Sequence, residues 1–249
     1  MITFFSCVIS SSASRTTAPI STAGRFIQGE IVGVLRRLTQ ENVVVHAAGR
    51  TDAGVHALGQ VGSFRTQSHL SAQEFQRALN ALLPPTIRIA TAEEVGPDFN
   101  ARWSAQGKTY GYRLYRGKVV PPMVWRYVLH YPFPLDEDAM RAAAARFVGK
   151  HDFASFAAST GSEEDDKERS TEREIFSTEL VRTADDEELV FTVRGRSFLH
   201  YVVRKMVGTL LDVGRGKLTP ADIDGLGPCD GRSPTRRGLA AGQTLRFSR

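Results

Sequence analysis

A polar, glycine-containing loop carries the side chains best suited to chemistry. Residues 49–57 read G-R-T-D-A-G-V-H-A and lie between the valine run 43–45 and a second strand-like run, 57–64. Glycine permits tight turns and close approach of the backbone to a ligand, and loops held by a rigid scaffold often carry catalytic groups. Asp52 supplies a carboxylate, and Arg50 is its nearest candidate partner. The residues alone leave open a simpler role, in which Asp52 caps its own turn and pairs with an arginine.

Two other stretches contain side chains that can bind a base or a charge. Tyr110 and Tyr112 alternate along residues 108–115, so a strand would put both rings on one face. Such a face is either a base-stacking surface or ordinary packing. Arg204 lies in the apolar stretch 198–213, where a buried charge needs a partner unless its side chain reaches the surface. The spacing decides neither question.

All three stretches resemble motifs of the TruA family of tRNA pseudouridine synthases. Residues 49–57 match its central motif, and 108–112 match its R/K-x-Y-x-Y motif. Residues 197–208 resemble its F-L-x-x-M-V-R-x-x-V-G helix, with Val202 where methionine is usual. Residues 151–156 resemble its H-D-F-x-x-F turn, whose aromatic rings we expect to be packing residues.

The resemblance implies a role for each candidate residue. Asp52 would be the catalytic nucleophile, Tyr110 would contact the target base, and Arg204 would pair with Asp52 and orient it. Tyr112 would be structural, and Arg50 could occupy the space that an extruded base leaves. The implied enzyme is an isomerase that converts uridine to pseudouridine at positions 38, 39 and 40 in the anticodon stem-loop of tRNA. It would be a cytoplasmic homodimer and would require no cofactor.

The order of elements predicts an α+β fold with two subdomains, residues 1–104 and 105–249. The expected helices are 25–39, a segment from an Asp136 cap to about Val148, and 198–213. A further helix follows a Ser71–Glu74 capping box, carries Phe75, Leu79 and Leu82 and is ended by Pro84-Pro85. The expected strands include 43–45, 57–64, 87–92, 108–115, 175–181 and 189–193. By resemblance, this is the pseudouridine synthase fold, with antiparallel sheets in two ferredoxin-like halves and a catalytic cleft between them.

Charge and cysteine content narrow the possible partners. The net charge is +5, from 32 Lys and Arg against 27 Asp and Glu. A basic cluster between residues 194 and 217 suits a polyanion such as tRNA, whereas 163–172 is expected to be an acidic exposed loop. Cys7 and Cys229 form no CxxC pair, which argues against a zinc site and fits a reducing cytoplasm. Asp52 and His56 have no further metal ligands at useful spacing, so no metal is expected.

The N-terminal residues depart from the family pattern. Residues 1–24 lack the usual opening strand with its Y-D-G and G-W-Q sequences. One hypothesis is a wrong start or a frameshift, and another is that residues 2–9 serve as a substitute strand. An incomplete sheet would favour the alternative of a non-catalytic RNA-binding protein. A glycoside hydrolase is a further alternative, but it requires a second carboxylate in a comparable setting. At the other end, residues 236–239 match the family's A-P-A-x-G-L only loosely.

Overall fold

A computed structural model describes residues 2–9, 27–52, 54–157, 170–225 and 243–248, of which 2–9 and 243–248 are described by their backbone. The chain divides into two compact units, one made of Met1–Gln106 with Leu245–Arg249 and the other of Gly107–Thr244. The acidic run 163–169, Cys229 and the C-terminal motif 236–239 lie outside the described residues.

The first unit has the element order of a ferredoxin-like half. Its elements are β1 (Ile2–Ile9), α1 (Ile27–Thr39), β2 (Val45–Ala47), β3 (His56–Arg65), α2 (Ala72–Leu82) and β4 (Ile87–Val95). The antiparallel sheet has the order β4-β1-β3-β2. Strand β1 therefore pairs on both sides, with Ile2 opposite Arg65 in β3 and Val95 in β4. The hypothesis that residues 2–9 provide the missing strand is confirmed by this backbone pairing.

Local sequence explains how α2 is placed on this sheet. Ser71 accepts a hydrogen bond from the Glu74 amide, and the Glu74 carboxylate accepts one from the Ser71 amide at 2.8 Å, which is the predicted capping box. Phe75 and Leu79 are buried, and Phe75 packs edge-on against Phe64 of β3 with ring centroids 5.3 Å apart. Helix α2 ends at Leu82, just before Pro84-Pro85, as predicted. Leu82 itself is 41% exposed, and the extended Leu83 that follows is buried.

The same sheet corrects the strand predicted at residues 43–45. Only Val45–Ala47 pairs with β3, opposite residues 64 to 62, and Val44 is exposed. Three consecutive β-branched residues favour a strand, but the partner's register decides which of them pair. Strand β2 therefore ends at Ala47, just before the predicted loop 49–57.

The strands of the second unit pair mainly antiparallel to one another. Its elements are β5 (Gly107–Tyr115), β6 (Leu129–His130), α3 (Glu137–Ala145), β7 (Gly149–Asp152), β8 (Glu172–Arg182), β9 (Glu188–Gly195) and α4 (Val202–Gly214). The strand order is β5-β9-β8-β7, and the short β6 lies parallel to β5. Single 3-10 turns cover Ala154–Phe156 and Pro220–Ile223, and a last strand, β10, covers Gln243–Ser248. As predicted, Phe153 and Phe156 of the 151–156 turn are buried packing residues.

Two helix boundaries in this unit differ from the prediction. Helix α3 is capped by Asp136, as expected, but ends at Ala145 because the next three amides bond to carbonyls three residues back. Helix α4 begins at Val202 and not at residue 198, because Tyr201 has a left-handed backbone with φ 60° that no helix can continue through. From Val202 onward its apolar face is buried, with Val202, Met206 and Leu210 in the core.

The predicted α+β class, with antiparallel sheets in both halves, is confirmed. A catalytic cleft between the halves stays a prediction. No helix in the described part of the chain is both long and apolar enough to span a lipid bilayer.

Candidate active site

The loop between β2 and β3 is held at both ends by the first unit's sheet. Before the loop, the Ala48 amide donates to the Val61 carbonyl at 2.9 Å, and the Gln60 side-chain amide donates to the Gly49 carbonyl at 3.1 Å. Val55 is buried where the loop ends. Glycine is required at position 54, where φ is +81°. The loop is therefore attached to the sheet where it begins and packed against the core where it ends.

Asp52 lies at the bend of this loop. Its carbonyl accepts a hydrogen bond from the Val55 amide at 3.1 Å, which closes the turn, and its side chain is half-buried. Arg50 is exposed two residues earlier. This arrangement presents a carboxylate from a constrained backbone, as covalent or electrostatic catalysis requires. The catalytic roles of Asp52 and Arg50, and their pairing, stay predictions.

Strand β5 presents Tyr110 and Tyr112 on the same face of the second unit's sheet. Tyr112 is fully buried, which fits the structural role predicted for it. Tyr110 is only half-buried, and its ring meets Phe198 edge-on with centroids 4.9 Å apart and planes at 75°. The half-exposed ring is fixed on one side by Phe198, so it can offer its remaining surface to a planar ligand.

Arg204 lies in the first turn of α4, close to Tyr201 and to Tyr112. Its guanidinium carbon lies 5.2 Å from the centroid of the Tyr201 ring, within the range of a cation–π contact. The Tyr112 hydroxyl is buried without a hydrogen-bond partner. Burial raises the pKa of Tyr112, and the nearby positive charge of Arg204 opposes this rise. Arg204 is half-buried, and its predicted pairing with Asp52 stays a prediction.

The basic cluster between residues 194 and 217 is partly used inside the fold. The Lys205 ammonium donates to the backbone carbonyls of Ser155, at 3.2 Å, and Ala157, and burial lowers the pKa of Lys205. Arg215 donates to the Tyr131 hydroxyl at 2.7 Å. Some cations of the cluster therefore make hydrogen bonds within the fold, whereas others, such as Arg194 and Lys217, are exposed.

Among the residues that the structure describes, no three His, Cys, Asp or Glu side chains form a group that could hold a metal ion.

The prediction from sequence missed Tyr201 and the internal role of Lys205. No sequence signal marks Tyr201, since tyrosine is not a residue that favours a left-handed backbone.

Comparison with known proteins decides the family. A family model described as tRNA pseudouridine synthase matches residues 11–104 and 143–241. The chain is 45% identical over 213 residues to tRNA pseudouridine synthase A of Solibacter usitatus, covering 86% of each chain.

The chain belongs to the tRNA pseudouridine synthase family.

Other relatives give the same result. tRNA pseudouridine synthase A 1 of Desulfotalea psychrophila is 44% identical over 194 residues, which is 77% of this chain and 76% of the relative. tRNA pseudouridine synthase A of Brevibacillus brevis is 40% identical over 220 residues, which is 88% and 87% respectively. The family predicted from the motifs is confirmed, as is the enzyme class, a pseudouridine-forming isomerase.

Proposed function

We propose that this protein converts uridine to pseudouridine at positions 38, 39 and 40 in the anticodon stem-loop of tRNA. The observation that carries the proposal is the loop 49–57, a full match to the central family motif, whose Asp52 carbonyl accepts the Val55 amide in a turn. The similarity to tRNA pseudouridine synthases over most of the chain supports tRNA as the substrate. This makes the non-catalytic alternative the less favoured one.

The reaction breaks the N-glycosidic bond of the target uridine and rejoins the uracil to the ribose through C5. The C5 hydrogen is lost as a proton, and N1 takes up a proton, so the product is an isomer of the substrate. Asp52 acts as the nucleophile beside the sugar and base. Because the reaction involves neither a net redox change nor phosphoryl transfer, the residues alone supply the chemistry.

The target base must leave its stack to be reached, which costs a few kcal/mol. Stacking on Tyr110 offsets part of this cost, since an aromatic ring contributes roughly 1–3 kcal/mol per base. Arg50, which is exposed, enters the space that the base vacates. Arg204 pairs with Asp52 and orients its carboxylate.

Exposed cations such as Arg194 and Lys217 bind phosphates of the tRNA. We propose a homodimer acting in the cytoplasm, on the basis of the family resemblance and of two cysteines that lack a CxxC spacing. Each phosphate contact makes tRNA affinity fall as salt rises, so the affinity should be measured at several salt concentrations.

Tritium release from tRNA labelled at uracil C5 tests the proposal directly. The wild-type protein is expected to release tritium, whereas Asp52→Asn and Asp52→Ala are expected to lose release by at least about 1,000-fold. Asp98→Asn is the matched control, because Asp98 is an exposed aspartate of the same unit. Release by the Asp52 variants at the wild-type rate would remove the nucleophile assignment.

Two other outcomes separate the alternatives. Binding of tRNA by the wild-type protein with no loss of C5 hydrogen would identify a non-catalytic RNA-binding protein. Release of free uracil in place of an isomerised tRNA would identify a hydrolase, because the base would then leave the nucleic acid.

A further inference from the structure

Helix α4 starts at a residue whose backbone conformation does not suit its side chain. Tyr201 has φ 60° and ψ 4°, in the left-handed region. Glycine enters this region freely and asparagine does so more readily than other residues, whereas a bulky side chain is rarely found there. A sequence that keeps tyrosine at this position gives up backbone stability, so the tyrosine side chain is expected to contribute something in return.

The Tyr201 ring contacts the side chains of His200 and Arg204. Its centroid lies 3.9 Å from that of His200, with ring planes inclined at 37°. The guanidinium carbon of Arg204 lies over the same ring at 5.2 Å. Positions 201 and 204 are three apart, a spacing that places side chains next to each other along one face of a helix.

Backbone hydrogen bonds hold Tyr201 at the junction between the preceding turn and the helix. The Tyr201 carbonyl accepts the Lys205 amide at 3.1 Å and thereby opens the helical hydrogen-bond series. The Val202 amide donates to the Leu199 carbonyl at 3.3 Å and closes the preceding turn. Tyr201 is thus held from both sides of the junction. An arginine side chain has many rotamers, and a fixed aromatic face beneath the guanidinium reduces their number.

We infer that Tyr201 is a positioning residue, whose ring holds the Arg204 guanidinium in the orientation needed to aim the catalytic carboxylate. The inference rests on the proposed function, because it gives Tyr201 a role only through Arg204. The left-handed backbone of Tyr201 lowers the stability of the fold, and the ring in return orients the Arg204 guanidinium before substrate binds.

Two substitutions separate the ring from the backbone. Tyr201→Phe keeps the aromatic face and is expected to retain kcat within about twofold. Tyr201→Asn removes the face but suits the left-handed backbone, so its thermal midpoint is expected to be no lower than that of the wild type. Its kcat for tritium release is expected to fall about 5- to 20-fold, with KM for tRNA changed less than about twofold. An Asn variant with wild-type kcat would overturn the inference.

A double-substitution cycle with Arg204→Lys distinguishes positioning from a general structural effect. If Tyr201 acts through the guanidinium, Tyr201→Asn is expected to change kcat less than about twofold in the Arg204→Lys background. The same loss in both backgrounds would overturn the inference, and a loss caused by misfolding would produce that result. Absence of tritium release by the wild type would instead refute the proposed function, so the two failures are distinguishable.

Discussion

The ring of Phe198 meets the ring of Tyr110 edge-on, with centroids 4.9 Å apart and planes at 75°. Phe198 lies between β9 and α4, outside any regular element, and Tyr110 is in β5. The segment before α4 therefore supports the tyrosine that the family motif marks for base contact. This contact links the position of Tyr110 to the start of the helix that carries Arg204.

Loss of this support is expected to lower activity more than it lowers stability. Phe198→Ala should lower kcat/KM for tRNA about 2- to 13-fold, because an edge-on aromatic pair contributes about 0.5–1.5 kcal/mol beyond its buried area. The measurement is the initial rate of tritium release at several tRNA concentrations, together with the thermal midpoint. Phe133→Ala is the matched control, since Phe133 is an exposed aromatic residue of the same unit that packs on Tyr131. Full activity of Phe198→Ala would show that Tyr110 is positioned by other contacts.

Gly195 is predicted to tolerate no side chain. A Cβ at this position would lie 2.8 Å from the Glu174 carbonyl oxygen and 3.2 Å from the Phe198 ring. Gly195→Ala is therefore expected to lower the free energy of unfolding by about 1–3 kcal/mol, as overpacking against backbone does. Gly33→Ala is the control, because Gly33 lies in α1 with no atom near the new methyl group. It should raise stability by about 0.5–1 kcal/mol, since alanine favours a helix over glycine. Equal effects of the two substitutions in urea unfolding would contradict this account.

The ion pair between Arg113 and Glu188 is expected to matter more than the surface pairs. Arg113 donates two hydrogen bonds of 2.6 Å to the Glu188 carboxylate, whose side chain is only 9% exposed. Arg113→Met should cost about 2–4 kcal/mol, because it leaves a largely buried carboxylate without a partner. Arg196→Met removes a more exposed pair with Glu174 and should cost less than about 1 kcal/mol. Denaturant unfolding of both variants checks the difference, and similar costs would rule out the explanation from burial.

The capping box of α2 should make part of the stability depend on pH. Hydrogen bonds from the Ser71 amide and then the Ser71 hydroxyl lower the pKa of Glu74 below its ordinary value of 4.5. The stabilisation by ionised Glu74 is therefore present above about pH 4.5 and is lost as the pH falls through the lowered pKa of the folded state. Unfolding of wild type and Glu74→Gln should differ at pH 7 and converge in acid. A difference that stays constant with pH would exclude this role of the carboxylate.

Removal of the capping hydroxyl has a separate expected cost. Ser71→Ala should lower the free energy of unfolding by about 1 kcal/mol, because one amide of the first helical turn loses its acceptor. Ser177→Ala, at an exposed position in β8, is the control and should change stability by less than about 0.5 kcal/mol.

Features set by neighbouring residues could be predicted from sequence, and features set by distant partners could not. The Ser71–Glu74 box and the Asp136 cap were predictable because each depends on residues three apart. The end of α2 was also predictable, from Pro84-Pro85, but the burial of Leu83 was not, because it depends on how the chain turns after the helix. Apolar periodicity likewise reports side chains and not backbone, so it extended α4 through Tyr201.

The candidate site shows the same limit. Motif resemblance predicted Asp52, Arg50, Tyr110 and Arg204, and the roles of these residues stay predictions. Lys205 was expected among the phosphate-binding cations, but its carbonyl partners lie 50 and 48 positions earlier in the chain. Charge in a sequence indicates what a side chain carries, whereas only tertiary structure shows what it contacts.

The place of β1 in the middle of its sheet has a consequence for synthesis of the chain. Ile2 is paired with Arg65 on one side and Val95 on the other. Both partner strands of β1 are therefore translated after it. The ribosome releases the first strand long before β4 exists, and non-local pairing of this kind slows folding. Until then the nascent strand has unpaired edges that can hydrogen-bond to a neighbouring polypeptide.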